Sequence, residues 1–572
     1  MTNAFQVSGK NAAAPFTLTL HRGDGMTLVA MNWKNGEPPE EFVGFAIEYK
    51  EPDGDKFFPL KNRLAFPGVG GDVNPNRLST RFSPIQKFRW VHFPRNAELP
   101  GAFVYRVTPV FMNEQDELSY GESQEASIEL RRETYPGRLN VAFTRGFVSS
   151  QAFVDRYESK GPISTLLPPK ADEGLTFIPT HPKADEALAW MGFEAWRVVL
   201  ELLDQAIADK KARVRVVAYD LNEPDIVSRL ERLGSRLKII IDDDGSHGEP
   251  DSAETQAEKR LSISAGQNNV KRQHMGKLQH NKTIVVDGPK VRAVVCGSTN
   301  FTWRGFFVQS NNAVVLRGKS AIESFLLAFD DYWDHDTPAG FGATDSARWT
   351  NLGLAGIDAR VAFSPHAESN VLLQTIADDI GEKTTSSLFY SLAFLYQTPG
   401  VMQDAIRKVS NDQKIFVYGI SDRKVGGIDL QKPDGNVSPV FPSALIEHTV
   451  PEPFKSEPTG GGGNRMHHKF LVVDFNKPTA RVYLGSYNFS IPADTKNGEN
   501  LVLIRNRRIA VSYMIEALRL FDHYHFRVAQ LNAKKQKKKL QLAKPPRNPE
   551  DKAWWVEYYT DARKIRDREL FA

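Results

Sequence analysis

Two distant segments of the chain repeat the same set of reactive side chains at the same spacing. One begins HNKTIVVD and the other HHKFLVVD, so that a histidine, a lysine and an aspartate stand at relative positions 0, 2 and 7 in both. Each segment is followed by the pattern Gly-Ser-x-Asn. The repeated positions are His280, Lys282, Asp287, Ser298 and Asn300 in the first copy, and His467, Lys469, Asp474, Ser486 and Asn488 in the second.

These residue types are suited to the transfer of a phosphoryl group. One imidazole can attack phosphorus while the other protonates the leaving oxygen, and the need for both a nucleophile and an acid gives a reason for two copies. The ammonium groups and the asparagine amides can stabilise the charge that develops on the non-bridging oxygens. The pattern therefore predicts a reaction at a phosphate group that needs no metal and no cofactor.

The spacing also indicates how these side chains are presented. Residues two apart in an extended segment face the same side, so His280 and Lys282 should converge on one spot. The apolar runs that follow, at 284–286 and 471–473, are typical of strands buried on both faces. An ammonium group at the mouth of such a strand is costly unless an anion or a partner meets it. We therefore expect an anion site at this end of the strands.

The surrounding sequence predicts α/β layers from about residue 136 onward. Residues 194–212 are typical of a helix that leads into a strand at 213–220, and residues 402–413 are typical of a helix that leads into a strand at 414–421. One such helix-to-strand unit precedes each copy of the motif. We expect an internal duplication, with one α/β lobe at 136–345 and a second at 346–572.

The N-terminal part of the chain, residues 1–135, has a different pattern. Short alternating segments are separated by clusters of Gly, Pro, Asn and Asp, which favours an all-β sandwich. Trp33, Tyr49, Tyr105 and Val107 resemble core positions of a fibronectin type III domain, within the Ig-like sandwiches. The resemblance implies a role in binding or spacing, and a protein partner is one of the open alternatives.

The duplicated motif resembles the HxKx4D…GSxN signature of the phospholipase D superfamily, and the resemblance extends from about residue 136 to residue 572. It implies two pseudo-repeated α/β lobes that share one active site, a metal-independent reaction and a covalent phosphohistidine intermediate. It also implies His280 and His467 as nucleophile and general acid, and family habit favours His280 for the attack. The groups implied to hold or support the phosphate are Lys282, Lys469, Asn300, Asn488, Ser298 and Ser486.

The resemblance further assigns roles to acidic residues. It implies that Asp287 and Asp474 orient the structure around the histidines. Glu499, eleven residues after Asn488, matches a family acid that contacts the histidine of the opposite lobe. The first copy departs from the pattern because Asn311 stands at the corresponding position. We therefore expect the two histidines to differ in basicity.

Three functions are compatible with the sequence. The first is a phospholipase D-type hydrolase, which hydrolyses or transfers a phospholipid headgroup and contacts a membrane peripherally. The second is a nuclease that cleaves nucleic-acid phosphodiesters by the same chemistry. The third is a binding protein that has lost turnover. The intact histidine and lysine in both copies argue against the third.

Length and composition set further bounds. A chain of 572 residues is too long for one hydrophobic core. Hydrophobic residues make up 41% and charged residues 25%, which is typical of a globular protein in water. The single cysteine, Cys296, excludes an internal disulfide and any Cys-based zinc site. Uncharged apolar runs stay well below the roughly 18 residues of a membrane span. We expect a cytoplasmic protein.

Several other features have structural interpretations. The lysine-rich run at 534–539 is predicted to be a solvated helix end or loop, with binding to nucleic acid or anionic lipid as the alternative. The aromatic tail at 554–559 is expected to pack on the α/β body. His468 and Cys296 are predicted to be structural. The glycine-rich segment at 459–465 is interpreted as a loop or a flexible gate.

Overall fold

The described part of the chain forms two compact units. A computed structural model describes residues 4–68, 78–131, 133–146, 153, 156–395, 398–421, 466–537 and 539–572. Of these residues, unit 1 contains 4–131 together with 511–572, and unit 2 contains those between 133 and 510. The predicted glycine-rich loop at 459–465 lies outside the described residues. None of the described helices combines the length and hydropathy that a membrane crossing requires.

Unit 1 contains two antiparallel sheets that contribute to one hydrophobic core. Its strands are β1 Gln6–Ser8, β2 Phe16–Arg22, β3 Thr27–Trp33, β4 Phe42–Lys50, β5 Phe58–Pro59, β6 Arg89–His92, β7 Ala102–Met112, β8 Leu118–Tyr120 and β9 Gln124–Glu129. The first sheet has the order β1-β2-β3-β6, and the second has the order β5-β4-β7-β8 with β9 paired to β7. Phe16, Leu18 and Leu20 alternate along β2 and share the core with Phe45 and Ile47 of β4.

The aromatic tail belongs to unit 1, so the prediction that it packs on the α/β body was wrong. Ala553 and Trp555 are part of the core of unit 1. The indole N–H of Trp554 donates to the carbonyl of Phe42 at 3.0 Å, and its ring centroid lies 5.4 Å from that of Phe88. Aromatic rings bury a large apolar area, and here they fill space beside other rings of the sandwich core.

Three helices of the C-terminal segment accompany the tail. Their bounds are Arg507–Lys535, Glu557–Thr560 and Ala562–Leu570. The buried guanidinium of Arg89 joins two of them to β6, because it donates to Asp522 and to Asp567 at 2.8 Å each. The first of these helices ends at Lys535, within the lysine-rich run, as the prediction of a helix end requires.

Unit 2 is mixed α/β and contains two seven-stranded sheets. The strands of the first sheet are β10 Leu139–Phe143, β11 Arg213–Ala218, β12 Leu237–Ile241, β13 Val270–Arg272, β14 Lys282–Asp287, β15 Arg292–Gly297 and β16 Asn312–Arg317. Those of the second are β17 Thr350–Asn351, β18 Asp358–Ser364, β19 Ser387–Leu392, β20 Phe416–Ile420, β21 Lys469–Val473, β22 Arg481–Gly485 and β23 Glu499–Arg505.

The two sheets repeat one strand order. The first reads β10-β16-β15-β14-β11-β12 before its edge strand β13, and the second reads β18-β23-β22-β21-β19-β20 after its edge strand β17. In each sheet a parallel pair, β11 with β12 or β19 with β20, adjoins a run of antiparallel strands, and in the first sheet β13 adds a second parallel pair with β12. The motif strands β14 and β21 occupy the same place in this order, next to the parallel pair. They are buried almost throughout, as their apolar sequences predict.

Helices connect and cover these strands. Parallel neighbours require a crossover, and Pro224–Leu233 and Val401–Asn411 fill that role between the paired strands. The other α-helices in the described part of unit 2 are Ala184–Ala208, Ala253–Ala265, Lys319–Asp334, Pro338–Gly342, Leu373–Lys383 and Ile491–Thr495. The helices and strands predicted before each motif are present, with ends within a few residues of the expected positions. The first helix is interrupted at Phe193, and the part that follows this kink begins where the sequence predicts.

Replacement of Trp554 tests whether the tail stabilises unit 1. Trp554→Ala removes a large aromatic contact and one hydrogen bond, so we expect the free energy of unfolding to fall by about 3 kcal/mol. Trp554→Phe keeps a ring beside Phe88 and should cost about 1 kcal/mol, mainly from the lost hydrogen bond. Urea unfolding followed by circular dichroism measures both. The exposed Lys552→Ala is the control, and an equally small effect of Trp554→Ala would contradict the assignment.

Candidate active site

The two repeated histidines lie next to each other in unit 2. Their ring centroids are 6.4 Å apart, and each residue is about 95% buried. His280 precedes β14 and His467 precedes β21, so each ring stands at the start of its motif strand. The sequence prediction that two distant imidazoles meet is therefore in agreement with the geometry. A separation of this size leaves room for one phosphate between the rings.

Each imidazole is held by a residue from the other sheet. The Nδ1 of His280 lies 2.7 Å from Oε2 of Glu499, and the Nδ1 of His467 lies 3.0 Å from Oδ1 of Asn311. Asn311 and the carbonyl of Ser298 offer only acceptor oxygens to His467, so its Nδ1 carries the proton, whereas Nδ1 of His280 shares a proton with the carboxyl group of Glu499. The Nε2 atoms are then the ring nitrogens that remain for reaction. Glu499 and Asn311 occupy the positions that the sequence comparison of the two copies predicts.

A second reciprocal contact adjoins the first. The amide of Asn500 donates to Oδ1 of Asn281 at 2.8 Å, and the amide of Asn312 lies 3.5 Å from Nδ1 of His468. Asn281 and His468 are the residues directly after the two reactive histidines. His468 is fully buried, which agrees with its predicted structural role. The sequence analysis did not single out the three asparagines, although Asn312 and Asn500 stand directly after Asn311 and Glu499.

The two lysines are buried beside the histidines. Lys282 donates from Nζ to the carbonyl oxygen of His280, and Lys469 donates to that of His467 at 2.7 Å. Each ammonium also lies over an aromatic ring, Tyr219 at 4.6 Å from Lys282 and Phe394 at 5.3 Å from Lys469. Carbonyl dipoles and aromatic faces both favour a cation, and together they offset part of the cost of burying it.

Burial shifts the protonation of the site. It lowers the pKa of Lys282 to about 7 and lowers the pKa of Lys469 well below its usual range. Burial and the neighbouring lysines lower the pKa of both His280 and His467, so each ring is neutral near pH 7 and retains a lone pair for attack. Burial raises the pKa of Glu499 to about 8. An anion between the rings would favour the protonated lysines.

The serines of the motif support the residues that hold the histidines. Ser298 donates from Oγ to Oδ1 of Asn311 at 2.9 Å and accepts from the backbone of Asn312. Ser486 accepts from the backbone of Asn500 at 3.0 Å and hydrogen-bonds the carboxyl group of Glu499. Both serines are fully buried. This support explains why a serine recurs in both copies of the motif. The contact with phosphate that the sequence suggested for the serines stays a prediction.

The asparagines of the motif have amide atoms available for a ligand. Asn300 donates from Nδ2 to Oδ2 of Asp220, while its buried Oδ1 has no hydrogen-bond partner among the described residues. The Oδ1 of Asn488 is likewise without a partner in the part of the chain that the structure describes. Each amide therefore has hydrogen-bonding capacity that the surrounding protein does not use.

The structure does not bring the motif aspartates to the histidines, which corrects their predicted roles. Asp287 lies at the opposite end of β14 from Lys282, roughly 17 Å along an extended strand, and pairs with Arg292 at 3.2 Å on the surface. Asp474 is fully buried, and its carboxylate accepts from the backbone N–H groups of residues 385–387. It therefore fixes the segment that enters β19. Lys282 and Asp287 are five residues apart and therefore lie at the two ends of β14. The family pattern alone does not show which end each residue occupies.

A cluster that the sequence analysis missed borders the site in the first sheet. Asp220, His247 and Glu254 each place one ligand-type atom within 4.8 Å of the others. Both ring nitrogens of His247 are already hydrogen-bonded, Nε2 to Asp220 at 2.8 Å and Nδ1 to Asp242 at 2.7 Å. The cluster is therefore an ion-pair network. The only sequence signal was the run of aspartates after two buried strands.

Two segments of the chain are similar to a family of PLD-like domains. Residues 202–333 and 414–520 match the family described as "Cardiolipin synthase, PLD-like domain". Both copies of the repeated motif lie within these segments. A stretch of 48 residues is 42% identical to phospholipase D of Rickettsia prowazekii (strain Madrid E), over 8% of this chain and 22% of that protein. A stretch of 110 residues is 30% identical to the mitochondrial cardiolipin hydrolase of Chlamydomonas reinhardtii, over 19% of this chain and 45% of that protein.

The chain thus spans less than half the length of these curated relatives. Among solved structures, phosphatidylserine synthase of Haemophilus influenzae Rd KW20 is 16% identical, with a TM-score of 0.40, over 66% of this chain and 93% of that one. The phospholipase D family member Nuc of Salmonella typhimurium is 32% identical, with a TM-score of 0.21, over 24% of this chain and 87% of that one. Both TM-scores lie below 0.5, and the fold is established from this chain's own strand pairing.

Anion binding should be linked to proton uptake. With a pKa of about 7, Lys282 is mostly deprotonated at pH 8, and a bound anion favours its ammonium form, so binding should draw a proton from solution. Inorganic sulfate is the probe because it does not titrate in this range. Titration calorimetry at pH 8 in buffers of different ionisation enthalpy measures the uptake. Lys282→Met should reduce it, and a binding enthalpy independent of the buffer would contradict the prediction.

Proposed function

We propose that this chain is a metal-independent phosphodiesterase of the phospholipase D type, which hydrolyses or transfers a phospholipid headgroup through a phosphohistidine intermediate. The observation that carries the proposal is the pair of buried imidazoles, His280 and His467, at 6.4 Å between ring centroids. Their lysines lie beside them, and their Nδ1 atoms are fixed by residues of the opposite sheet. Two lobes sharing one site are part of this proposal.

The different partners of the two rings support a division of roles. When His280 attacks, its Nε2 forms the bond to phosphorus and the ring becomes cationic, which the carboxyl group of Glu499 stabilises. The bound phosphodiester anion favours protonation of His467 at Nε2 by a proton from water, and the neutral amide of Asn311 stabilises this imidazolium less than a carboxylate would, which makes it the stronger acid. It donates its proton to the leaving oxygen as the phosphorus–oxygen bond breaks. In the second step His467 takes a proton from water or an alcohol, whose oxygen then displaces His280 from phosphorus.

The proposal also specifies the class of substrate, which is a phospholipid. It is supported by the names of the relatives, phospholipase D and cardiolipin hydrolase, and by the family description. The alternative is a nuclease, because the described groups recognise the phosphodiester itself and would serve a nucleic-acid backbone equally well. An inactive binding protein is the third alternative. A cytoplasmic location, peripheral membrane contact and a fibronectin type III-like partner-binding domain remain proposals.

One comparison of substrates separates these functions. The purified chain is incubated with mixed phospholipid vesicles, with single- and double-stranded DNA and with RNA, all in EDTA, and the products are identified. We expect release of a headgroup from the vesicles, with activity retained in the chelator. Cleavage of nucleic acid alone would select the nuclease, and binding of such a substrate should then weaken steeply with added salt. Absence of turnover on every substrate would favour the binding protein.

Trapping tests the covalent step and the division of roles. His467→Ala removes the general acid, so the rate should fall by about 10²- to 10⁴-fold while an acid-labile phosphoryl adduct accumulates on His280. Intact-mass spectrometry and acid lability detect the adduct after exposure to bis-p-nitrophenyl phosphate, whose leaving group needs little protonation. His280→Ala should form no adduct. An adduct on His467 in that variant would reverse the roles, and none in either variant would count against covalent catalysis.

A further inference from the structure

A charged network in the first sheet of unit 2 reaches the phosphate side of the site. Asp220 stands two residues after the end of β11 and accepts a hydrogen bond from the amide of Asn300 through Oδ2. Through Oδ1 it lies 2.8 Å from Nε2 of His247. The side-chain amide of Asn300 has two hydrogens, so the second one is available for a ligand. The carboxylate of Asp220 thus orients an amide that the motif assigns to phosphate binding.

The far side of His247 is also held by a carboxylate. Its Nδ1 lies 2.7 Å from Oδ2 of Asp242, and Oδ1 of Asp242 accepts the backbone N–H of Gln279 at 2.6 Å. Gln279 directly precedes His280. Burial alone would lower the pKa of His247, but its hydrogen bonds to the two aspartates raise the pKa to about 11. His247 is therefore an imidazolium, and the network connects the segment of His280 to the amide of Asn300.

The second sheet has a different residue at the position of Asp220. Ala218 pairs with Lys282 and Leu392 pairs with Lys469, so the residues two further along, Asp220 and Phe394, correspond. Phe394 presents an apolar ring, with its centroid 6.0 Å from that of His467. The carboxylate is therefore specific to the first sheet, and its presence there requires a separate explanation.

A carboxylate next to a phosphate site is unfavourable by itself, because it repels the anion that the site binds. Asp220 is only about three-quarters buried as a side chain, and it interacts electrostatically with Lys282. The adjacent imidazolium of His247, at 2.8 Å, offsets part of its charge, because His247 is shared with Asp242. Asp220 can then orient Asn300 with less repulsion of an anion.

We propose that Asp220 and His247 form a pair of positioning residues, in which Asp220 orients Asn300 and the charge of His247 lessens the repulsion between Asp220 and the substrate phosphate. The proposal deepens the function proposed above and rests on it for the identity of the substrate. It assigns no proton transfer to either residue. It predicts an effect on substrate binding, measured by KM, with a much smaller effect on kcat.

A double-mutant cycle tests the pair. His247→Gln keeps a side-chain amide of similar length but leaves Asp220 uncompensated, so KM for bis-p-nitrophenyl phosphate should rise about tenfold while kcat changes less than about threefold. Adding Asp220→Asn removes the repelling charge and should return KM to within about threefold of the parent value. Asp220→Asn alone keeps an oxygen that can accept from Asn300 and leaves His247 paired with Asp242, so its effect on KM should be smaller than that of His247→Gln.

The matched control is His274→Gln. His274 also pairs with an aspartate, Asp243 at 2.8 Å, but its side chain is half exposed and the pair lies outside the network. KM should not change in this variant. If His247→Gln leaves KM unchanged, or the double variant binds no better than the single one, the proposal is overturned. Should His247→Gln fail to fold by circular dichroism, a tenfold rise of KM in Asp220→Asn would overturn it instead.

Binding of inorganic phosphate, measured by calorimetry, separates this proposal from the proposed function. His247→Gln should weaken phosphate binding about tenfold and the double variant should restore it, whether or not the parent protein turns over a diester. Restored binding without turnover would support the pair and reject the phosphodiesterase. A parent protein that binds no phosphate would overturn both. Loss of parental activity in EDTA together with metal binding that disappears in His247→Gln would also overturn the pair.

Discussion

Burial of two lysine side chains next to two histidines is the constraint on which the rest of the site depends. Lys282 and Lys469 are almost completely removed from water, and a buried ammonium group is costly without compensation. Carbonyl oxygens and aromatic rings supply part of it. The remainder is left for an anion, so the protein groups alone leave the site electrostatically incomplete. The same burial keeps the histidines neutral before an anion binds, so in the proposed reaction one feature provides both the affinity for phosphate and the lone pair that attacks it.

Reciprocal support between the sheets of unit 2 explains why the motif occurs twice. Each reactive ring takes its orienting partner from the other sheet, so neither sheet builds half of a working site by itself. The repeat is nevertheless unequal where chemistry differs. At equivalent positions of the two sheets, Glu499 corresponds to Asn311 and Asp220 corresponds to Phe394. The two repeated sheets therefore provide a common framework, and residue differences at single equivalent positions distinguish the proposed nucleophile from the proposed acid.

The sequence predicted those parts of the structure that repeat or alternate. The motif strands follow from spacing and strand periodicity. The meeting of His280 with His467 and the asymmetry of their partners were implied by the resemblance of the duplicated motif to a known family. Asp287 and Asp474 were assigned wrongly because a family pattern does not state which end of a strand a residue occupies. The pair of Asp220 and His247 was missed because 26 residues separate them in the sequence and the fold brings them together.

Unit 1 draws its core from both ends of the chain, since Trp555 packs with strands that are made first. During translation, ribosomes add the roughly 380 intervening residues in about 20 to 80 s, at 5–20 residues per second. For that interval the nascent sandwich lacks the rings that complete it. Its aromatic surface beside Phe42 and Phe88 is then open to chaperones and to neighbouring nascent chains, and this unit is completed only when the segment with Trp555 has been synthesised.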